Sequence, residues 1–499
     1  MYQSYIGLEV HIHLLTKTKV FCGCRSAFGD EPNTNVCPVC LGYPGVMPAL
    51  NVDAMRMGCL VASALNCRIP QRTWFDRKQY FYPDMPKNYQ ISQFASPLGQ
   101  EGCVEIEGIG KPLDSGERTL IKKKVRIREC HLEEDAGKMI HAGTASLLDY
   151  NRAGVSLLEI VTEPDMESGE EAELFIQQLR RTVRYLGVCD GNMEEGSLRA
   201  DANVSINLSG AGLGRKVEIK NLNSSRFVKL GLNYEIKRQS AMLDAGKIIA
   251  QETRLWNENR DETAPMRSKE NANDYRYFPE PDLPVFNPDE AFLKSVRDLM
   301  VELPLSRQRR FKTDFTLTDE QADLLTEEKA LADYFESTVS AVVSGGLEKK
   351  DAAKRVANWI LSDIKHILSR DGISAADIGT LKLSAARLSQ LVLLVSQGKI
   401  SGKSAKQTLE AVFAEDKDPI TIVAEHGWEQ LSDPAIIGEF ARNVVTAEAQ
   451  TVSDLKAAKE AGNAKKIKGL SAFLVGKVLA ASGGSASPAV AAAQIEALL

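Results

Sequence analysis

Four cysteines near the N-terminus have the spacing of a metal site. Cys22-x-Cys24 is followed, after an interval of twelve residues, by Cys37-x-x-Cys40. Two close pairs of thiolates can complete a tetrahedral zinc shell with no open position, so a zinc there would be structural. The first pair is one residue shorter than the common ribbon form, and four unrelated cytosolic thiols are the alternative. A second group of residues is acidic. Glu9 and His11 alternate along one segment, His131-Leu132-Glu133-Glu134-Asp135 follows much later, and Glu218 and Glu252 stand further on. Mg2+ takes hard oxygen ligands, usually few from the protein, with waters and phosphates filling the rest. Carboxylates converging on one sheet face would supply that; carboxylates merely solvated on exposed strands are the plainer reading. His11 taken alone is more often a hydrogen-bonded structural imidazole.

A third stretch runs from Arg77 to Tyr89, where Arg77, Lys78 and Lys87 interleave with Tyr80, Phe81, Tyr82 and Tyr89. Cations among aromatics can stack on and neutralise a single-stranded nucleic acid. The same residues serve as readily as core aromatics with charges lining a polar channel; composition does not choose between the two, and the channel is the plainer reading. Two absences matter as much. Neither Gly-x-x-x-x-Gly-Lys-Ser/Thr nor Gly-x-Gly-x-x-Gly leading a helix is present, so the usual phosphate cradles are missing. No serine or cysteine amidohydrolase motif is recognisable around the six histidines, so any ammonia used here must arrive from elsewhere.

These residues have to be positioned by strands. Ile6, Leu8, Val10, Ile12 and Leu14 share one face of the first strand, and Gly7, Glu9, His11 and His13 share the other. The same period of two relates Ala202, Val204, Ile206 and Leu208 to Asp201, Asn203, Ser205 and Asn207, and Val217 and Ile219 to Lys216, Glu218 and Lys220. Half-polar strands of this kind suit a mostly antiparallel sheet with one packed and one wet face. A helix interrupts them: Ser168 and Glu171 form a capping-box pattern, Ala172, Phe175, Ile176, Leu179, Val183 and Leu186 follow helical spacing, and Gly187 ends it.

Composition shifts near residue 290, and after Pro304 the chain reads as successive helices. Thr318 and Gln321 form another capping-box pattern, and Val356, Ile360, Ile364 and Ile367 make an apolar stripe. A second shift comes near Gly398. From 450 to 499, six lysines and no arginine face three acidic residues. The expectation is an α+β chain: a mostly antiparallel-sheet domain with helices over 1–292, an all-α helical domain over 293–399, and a small helical tail over 400–499. At 499 residues two or three domains are needed in any case.

Hydrophobic residues at 43% and charged residues at 26% describe a globular protein, and no uninterrupted apolar run is long enough for a bilayer. Met1-Tyr2-Gln3-Ser4-Tyr5 has neither a basic region nor an apolar signal core, and nine cysteines is an odd number, so a cytoplasmic protein with no membrane partner is expected. With a net charge of −6, RNA contact would need local patches.

Taken together, several segments resemble the GatB family. They are Gly7-Leu8-Glu9-Val10-His11, Cys37 to Gly45, Tyr80-Phe81-Tyr82-Pro83-Asp84, His131 to Lys138, Met193 to Arg199, Asp201 to Ser205, Lys220-Asn221-Leu222-Asn223-Ser224, Gln251-Glu252-Thr253-Arg254 and Asp274 to Asp282. They occur in order between residues 5 and 284. A weaker match at Gly398-Lys399-Ile400-Ser401 and Phe473-Leu474-Val475-Gly476 extends almost to the C-terminus.

The resemblance implies the B subunit of a glutamine-dependent tRNA amidotransferase. In that reaction ATP phosphorylates the carboxylate of Glu or Asp carried on a misacylated tRNA, Glu-tRNA(Gln) or Asp-tRNA(Asn), and ammonia displaces the phosphate. Ammonia comes from a partner amidase subunit, GatA, through a polar tunnel, and a small subunit, GatC, braces the pair. The resemblance also implies an ATP- and Mg2+-binding cradle, a helical domain and a YqeY-like tail that grips tRNA. By motif, Glu9, His11, Glu134 and Glu252 would hold Mg2+ with Glu218 nearby, and these five would be the catalytic set. Lys78, Lys87 and Asp135 would belong to the ammonia channel, and Cys22, Cys24, Cys37 and Cys40 to a zinc site that is scaffold. In the tail, Lys456, Lys459, Lys465, Lys466, Lys468 and Lys477 would meet tRNA phosphates. The chain departs from the family at Gly154-Val155-Ser156-Leu157, where Gly-x-Pro-Leu is usual, and at Lys477, where Gln is usual. A non-catalytic zinc-ribbon scaffold that merely holds tRNA would account for the cysteines and the basic tail, but gives Glu9, His11, Glu134 and Glu252 no reason to recur together.

Overall fold

The structure, a computed structural model, describes residues 2–112, 118–268 and 275–499; Met1 and Asp274 of the segments above lie outside them. The fold is α+β, and the chain divides into two units, Met1–Ser306 and Arg307–Leu499.

The first unit is built on an eleven-stranded sheet. In chain order its strands are β1 (Tyr2–His13), β2 (Asp76–Gln79), β3 (Tyr89–Ser92), β4 (Gly99–Pro112) and β5 (Arg118–Glu134). A separate two-stranded ribbon, β6 (Lys138–Ala142) and β7 (Ala145–Asp149), follows. The sheet then continues with β8 (Ser156–Thr162), β9 (Leu198–Leu208), β10 (Val217–Lys220), β11 (Glu252–Asn257), β12 (Glu262–Ser268) and β13 (Phe278–Pro279). β1 lies in the middle, antiparallel to β9 on one side and β8 on the other, and β8 is antiparallel to β5. Only the β10–β11 pair is parallel among the described strands.

The period of two read from β1 holds. Ile6, Leu8, Val10, Ile12 and Leu14 are all buried, in one core with helices α1 (Val52–Ala64), α2 (Gly169–Tyr185) and α3 (Ser225–Asp244). Glu9, His11 and His13 are left half-buried on the other face. Helices therefore cover one side of the sheet and leave the polar side open to ligand.

Helix α2 begins as its cap predicts: Ser168 Oγ accepts from the Glu171 amide at 3.2 Å. The reciprocal bond shifts by one residue, with Glu171 accepting from the Glu167 amide at 2.8 Å. Gly187, at φ +68°, follows the last turn. Helix α4 (Glu290–Arg297) spans the expected edge at 292 and buries Val296 in the same core.

The second unit is helical and contains two cores. The Thr318–Gln321 capping box forms with both of its bonds. Val356, Ile360, Ile364 and Ile367 are all buried, and the helix carrying them passes through a π-helical turn at Ile360–Ile364. The first core extends from Phe311 to Val423, taking in helices Gly402–Glu415 and Pro419–His426 through Leu409, Val412, Ile422 and Val423. The second comprises residues from Leu431 onward. The compositional shift near Gly398 thus falls within a core, because the helices after it are still amphipathic toward their predecessors. Among the described residues no helix is long and apolar enough to cross a membrane.

Candidate active site and metal centre

The polar face of the sheet carries a cleft of about 530 Å³. Its floor is a row of three side chains set by register. His11 on β1 stands opposite Glu159 on β8, and Glu159 stands opposite His131 on β5. Glu159 Oε2 lies 3.3 Å from His11 Nε2 and 3.0 Å from His131 Nε2. Glu133, two residues beyond His131, brings Oε1 to 3.7 Å from His11 Nε2. The ligand atoms of His11, Glu133 and Glu159 all lie within 4.8 Å of one another.

Neighbouring strands complete the cleft. Asn203 on β9 donates to Glu9 at 2.8 Å, and Thr253 on β11 donates to Glu218 on β10 at 2.8 Å. Lys220 pairs with Asp201 and stands 3.4 Å from Glu218. Lys78 on β2 and Arg128 on β5 also line the cleft.

The electrostatics follow from this crowding. Burial pushes the Glu159 carboxyl up, but His131 and His11 outweigh it and hold it well below the ordinary value. Burial pulls His131 down, and Glu159, Glu133 and Glu129 together raise it to about 9. His11 is raised for the same reasons, and Lys78 is raised against burial by Glu133, Tyr277 and Glu159. Two carboxylates and an imidazole whose ligand atoms converge in this way fit a hard divalent cation that keeps its other positions for water and phosphate.

Of the residues predicted from sequence, Glu9, His11, Glu218 and Lys78 meet in this cleft. Glu134 and Glu252 do not. Successive residues of a strand point to opposite faces, so Glu133 takes the cleft and Glu134 turns away, where it pairs with Lys87 and accepts from the Ile91 amide at 2.9 Å. On β11, Thr253 is the residue paired with Glu218, and Glu252 faces Arg254 at 2.8 Å and Arg238 at 3.5 Å. Asp135 forms a third group, 2.6 Å from His13 Nε2, 3.0 Å from Arg199 and 3.4 Å from Arg152. Burial would raise its carboxyl, but Arg199, His13 and Arg152 hold it well below the ordinary range. Lys78, Lys87 and Asp135 therefore sit in three different settings.

Sequence reasoning misses Glu159. Its signal is a single carboxylate in the otherwise apolar run Leu157-Leu158-Glu159-Ile160-Val161.

Cys22, Cys24, Cys37 and Cys40 also converge, with all four sulfurs within 4.8 Å of one another. The Lys19 amide donates to the Cys24 carbonyl at 2.9 Å, closing the first knuckle, and the Cys37 amide points at Cys40 Sγ at 3.2 Å in the second. Gly42 ends that second knuckle at φ +67°, where a Cβ would come within 2.9 Å of Lys87 Cα, so only glycine fits. Lys19 is fully buried, its Nζ 3.6 Å from Cys40 Sγ and 3.2 Å from the Tyr150 carbonyl. A buried ammonium needs a negative partner, and thiolates of the kind that hold a zinc ion would provide one. Glu134 and Lys87 line the small cavity of about 220 Å³ beside this cluster, together with Cys22, Cys40 and Phe21.

In the tail, Lys456, Lys465, Lys466 and Lys468 are exposed and have no ion pair among the described residues. Lys459 is paired with Glu496 at 2.6 Å and Lys477 with Glu448 at 2.9 Å.

Residues 4–294 match the model of the GatB/GatE catalytic domain, and residues 333–499 match that of the GatB domain. The chain belongs to the GatB family. GatB relatives align along almost the whole length. A protein of Crocosphaera subtropica, named as the B subunit of aspartyl/glutamyl-tRNA(Asn/Gln) amidotransferase, is 44% identical over 98% of this chain and 95% of its own. Proteins of the same name from Thermodesulfovibrio yellowstonii and Moorella thermoacetica are each 45% identical over 98% of this chain and 97% of theirs. The catalytic-domain match takes in every cleft residue described above and the four cysteines.

Proposed function

We propose that this chain is the activating and amidating subunit of a tRNA-dependent amidotransferase. A carboxylate oxygen of the Glu or Asp side chain on Glu-tRNA(Gln) or Asp-tRNA(Asn) attacks the γ-phosphorus of ATP, and ADP leaves. Ammonia then attacks the acyl carbon, phosphate leaves, and Gln-tRNA(Gln) or Asn-tRNA(Asn) results. The amidation chemistry agrees with the name shared by the full-length relatives and with family membership.

The observation that carries this reading is the His11–Glu159–His131 row with Glu133 beside it. A scaffold that only holds tRNA has no need of a half-buried cluster of acids and imidazoles on an open sheet face. Mg2+ would be held by His11, Glu133 and Glu159, where it would offset phosphate charge as the phosphoryl group moves. His131 donates to Glu159 and fixes its direction, as an outer partner does for a metal-binding carboxylate. Lys78 supplies a cation for developing charge on the transferred group. Zinc would be held by Cys22, Cys24, Cys37 and Cys40 and would tie the two knuckles together, with Lys19 balancing its charge.

Ammonia would come from an amidase partner of the GatA type, braced by a GatC-type small subunit. Lys87 with Glu134 and Asp135 with His13 would be stations on its polar path. The exposed tail lysines would hold tRNA by its phosphates. Nine unpaired cysteines suit a reducing cytoplasm.

The test is Glu159→Gln in the complete complex. Amidation should fall by about 10²–10³-fold, the scale seen when one stabilising group is removed from an active site, while tRNA binding and glutamine hydrolysis persist. Amidation at the wild-type rate would contradict the reading.

A further inference from the structure

Phe94 is an exposed aromatic ring on a rigid support. The residue is 54% exposed and lines the cleft, yet the loop beneath it is tightly bonded. The Phe94 and Ala95 amides both donate to Asp76 Oδ2, at 3.1 and 2.9 Å. Gln93, itself buried, accepts from the Leu132 amide at 2.9 Å and donates to Thr73 Oγ1 at 2.7 Å. Thr73 Oγ1 donates onward to the Ser96 carbonyl at 2.6 Å. The exposure of the ring is therefore built into the fold and is no product of a slack loop.

One face of the ring is already occupied. Phe94 stacks on Tyr277 with centroids 4.0 Å apart and planes 9° apart. Tyr275 meets Tyr277 edge-on at 6.1 Å, and Lys78 Nζ lies 4.9 Å from the Tyr275 ring centre. An ordered aromatic column thus ends in Phe94, whose second face carries no further ring among the described residues, in the cleft that holds the His11–Glu159–His131 row. Flat aromatic surfaces take nucleobases, which stack on a ring whatever their hydrogen-bonding edge, and Lys78, Arg128 and Lys220 stand among the acids of this cleft.

We propose that the open face of Phe94, backed by Tyr277, is the platform on which an adenine base stacks at this cleft. Two substrates of the function proposed above, on which this assignment depends, carry adenine: ATP and the 3′-terminal adenosine of the aminoacyl-tRNA. Each bears its reacting group on the same nucleotide as the base, so anchoring the base restricts where the phosphate or the acyl group can lie.

The experiment uses the complete complex with ammonium as nitrogen donor, comparing wild type with Phe94→Ala and Phe94→Trp. KM for ATP and KM for aminoacyl-tRNA are measured separately. Phe94→Ala should raise one of them by about tenfold, the scale of one lost base–aromatic stack, with kcat retained, and Phe94→Trp should restore it. A rise in KM for ATP alone assigns the platform to the nucleotide; a rise in KM for aminoacyl-tRNA alone assigns it to the tRNA end. Both KM values unchanged, both raised together, or a fall in kcat alone would overturn it. A wild-type complex that does not amidate would overturn the function itself. Direct binding of ATP and of uncharged tRNA to the Phe94→Ala complex would then still decide the platform.

Discussion

Glu133 and Glu134 are adjacent in the chain and serve different sites. Glu133 reaches toward His11 at 3.7 Å in the cleft, whereas Glu134 pairs with the buried Lys87 beside the four cysteines. The two should therefore fail in different ways. Glu133→Gln removes a negative charge that faces Lys78, His131 and His11 without forming a close one-to-one pair, so its stability cost should be the smaller of the two while amidation falls by about 10²–10³-fold. Glu134→Gln strands the Lys87 ammonium, and breaking a buried pair on one side costs about 3–5 kcal/mol. A larger fall in melting temperature for Glu134→Gln than for Glu133→Gln is the expected result. The reverse order would contradict the placement of the two side chains.

Zinc should be found at about one ion per chain, because four thiolates close one tetrahedral shell. Lys19→Met should weaken zinc retention against a chelator without touching a ligand, since it removes the positive charge at 3.6 Å from Cys40. Elemental analysis of protein purified without chelators that shows no zinc would refute the site. Loss of zinc should unfold the region around Cys22–Gly42 before it reduces catalysis.

The isolated chain should not hydrolyse glutamine. Combined with an amidase partner it should use glutamine, and with free ammonium it should amidate without the partner's glutaminase activity. Glutamine hydrolysis by the highly purified chain alone would contradict the division of labour.

Much of this site is legible in the sequence, and the limits have physical causes. Alternation along β1 assigns Glu9 and His11 to the open face correctly, because its partner face is uniformly apolar. The cysteine cluster is legible because its ligands are close in the chain. Glu159 is not, because its meaning comes from standing between His11 and His131 across two strand pairs, and register between distant strands leaves no mark on local spacing. The choice between Glu133 and Glu134 follows from local alternation, since Cys130 and Leu132 are buried in the core and His131 and Glu133 take the other face; the shift of β5 against β8 between Ile127 and Glu129 only hides that phase from a reading of the whole strand. Glu252 stands out in the sequence by its charge, whereas the parallel pairing of β10 with β11 places Thr253 beside Glu218. The helices at 402–426 belong to the preceding core through packing that a change in composition does not register.

The tail makes a graded prediction. Replacing Lys456, Lys465, Lys466 and Lys468 with Ala should raise KM for aminoacyl-tRNA and flatten its salt dependence by roughly 0.7–0.9 in log–log slope for each phosphate no longer neutralised. Replacing Lys459 and Lys477 should matter less, because Glu496 and Glu448 already neutralise them. Glutamine hydrolysis and ATP binding should not change. Unaltered KM and salt dependence after removal of the four exposed lysines would show that the tail is not an RNA grip.

In the proposed mechanism the tRNA-linked carboxylate is phosphorylated before ammonia arrives, and isotope transfer reads that order out. Misacylated tRNA carrying 18O in the side-chain carboxylate is amidated by the complete complex with ATP and ammonium, and the released inorganic phosphate is analysed by mass spectrometry. One 18O atom should pass to phosphate for each amide formed, with both products lost together in Glu159→Gln. Amide formation that leaves the phosphate free of 18O would contradict it.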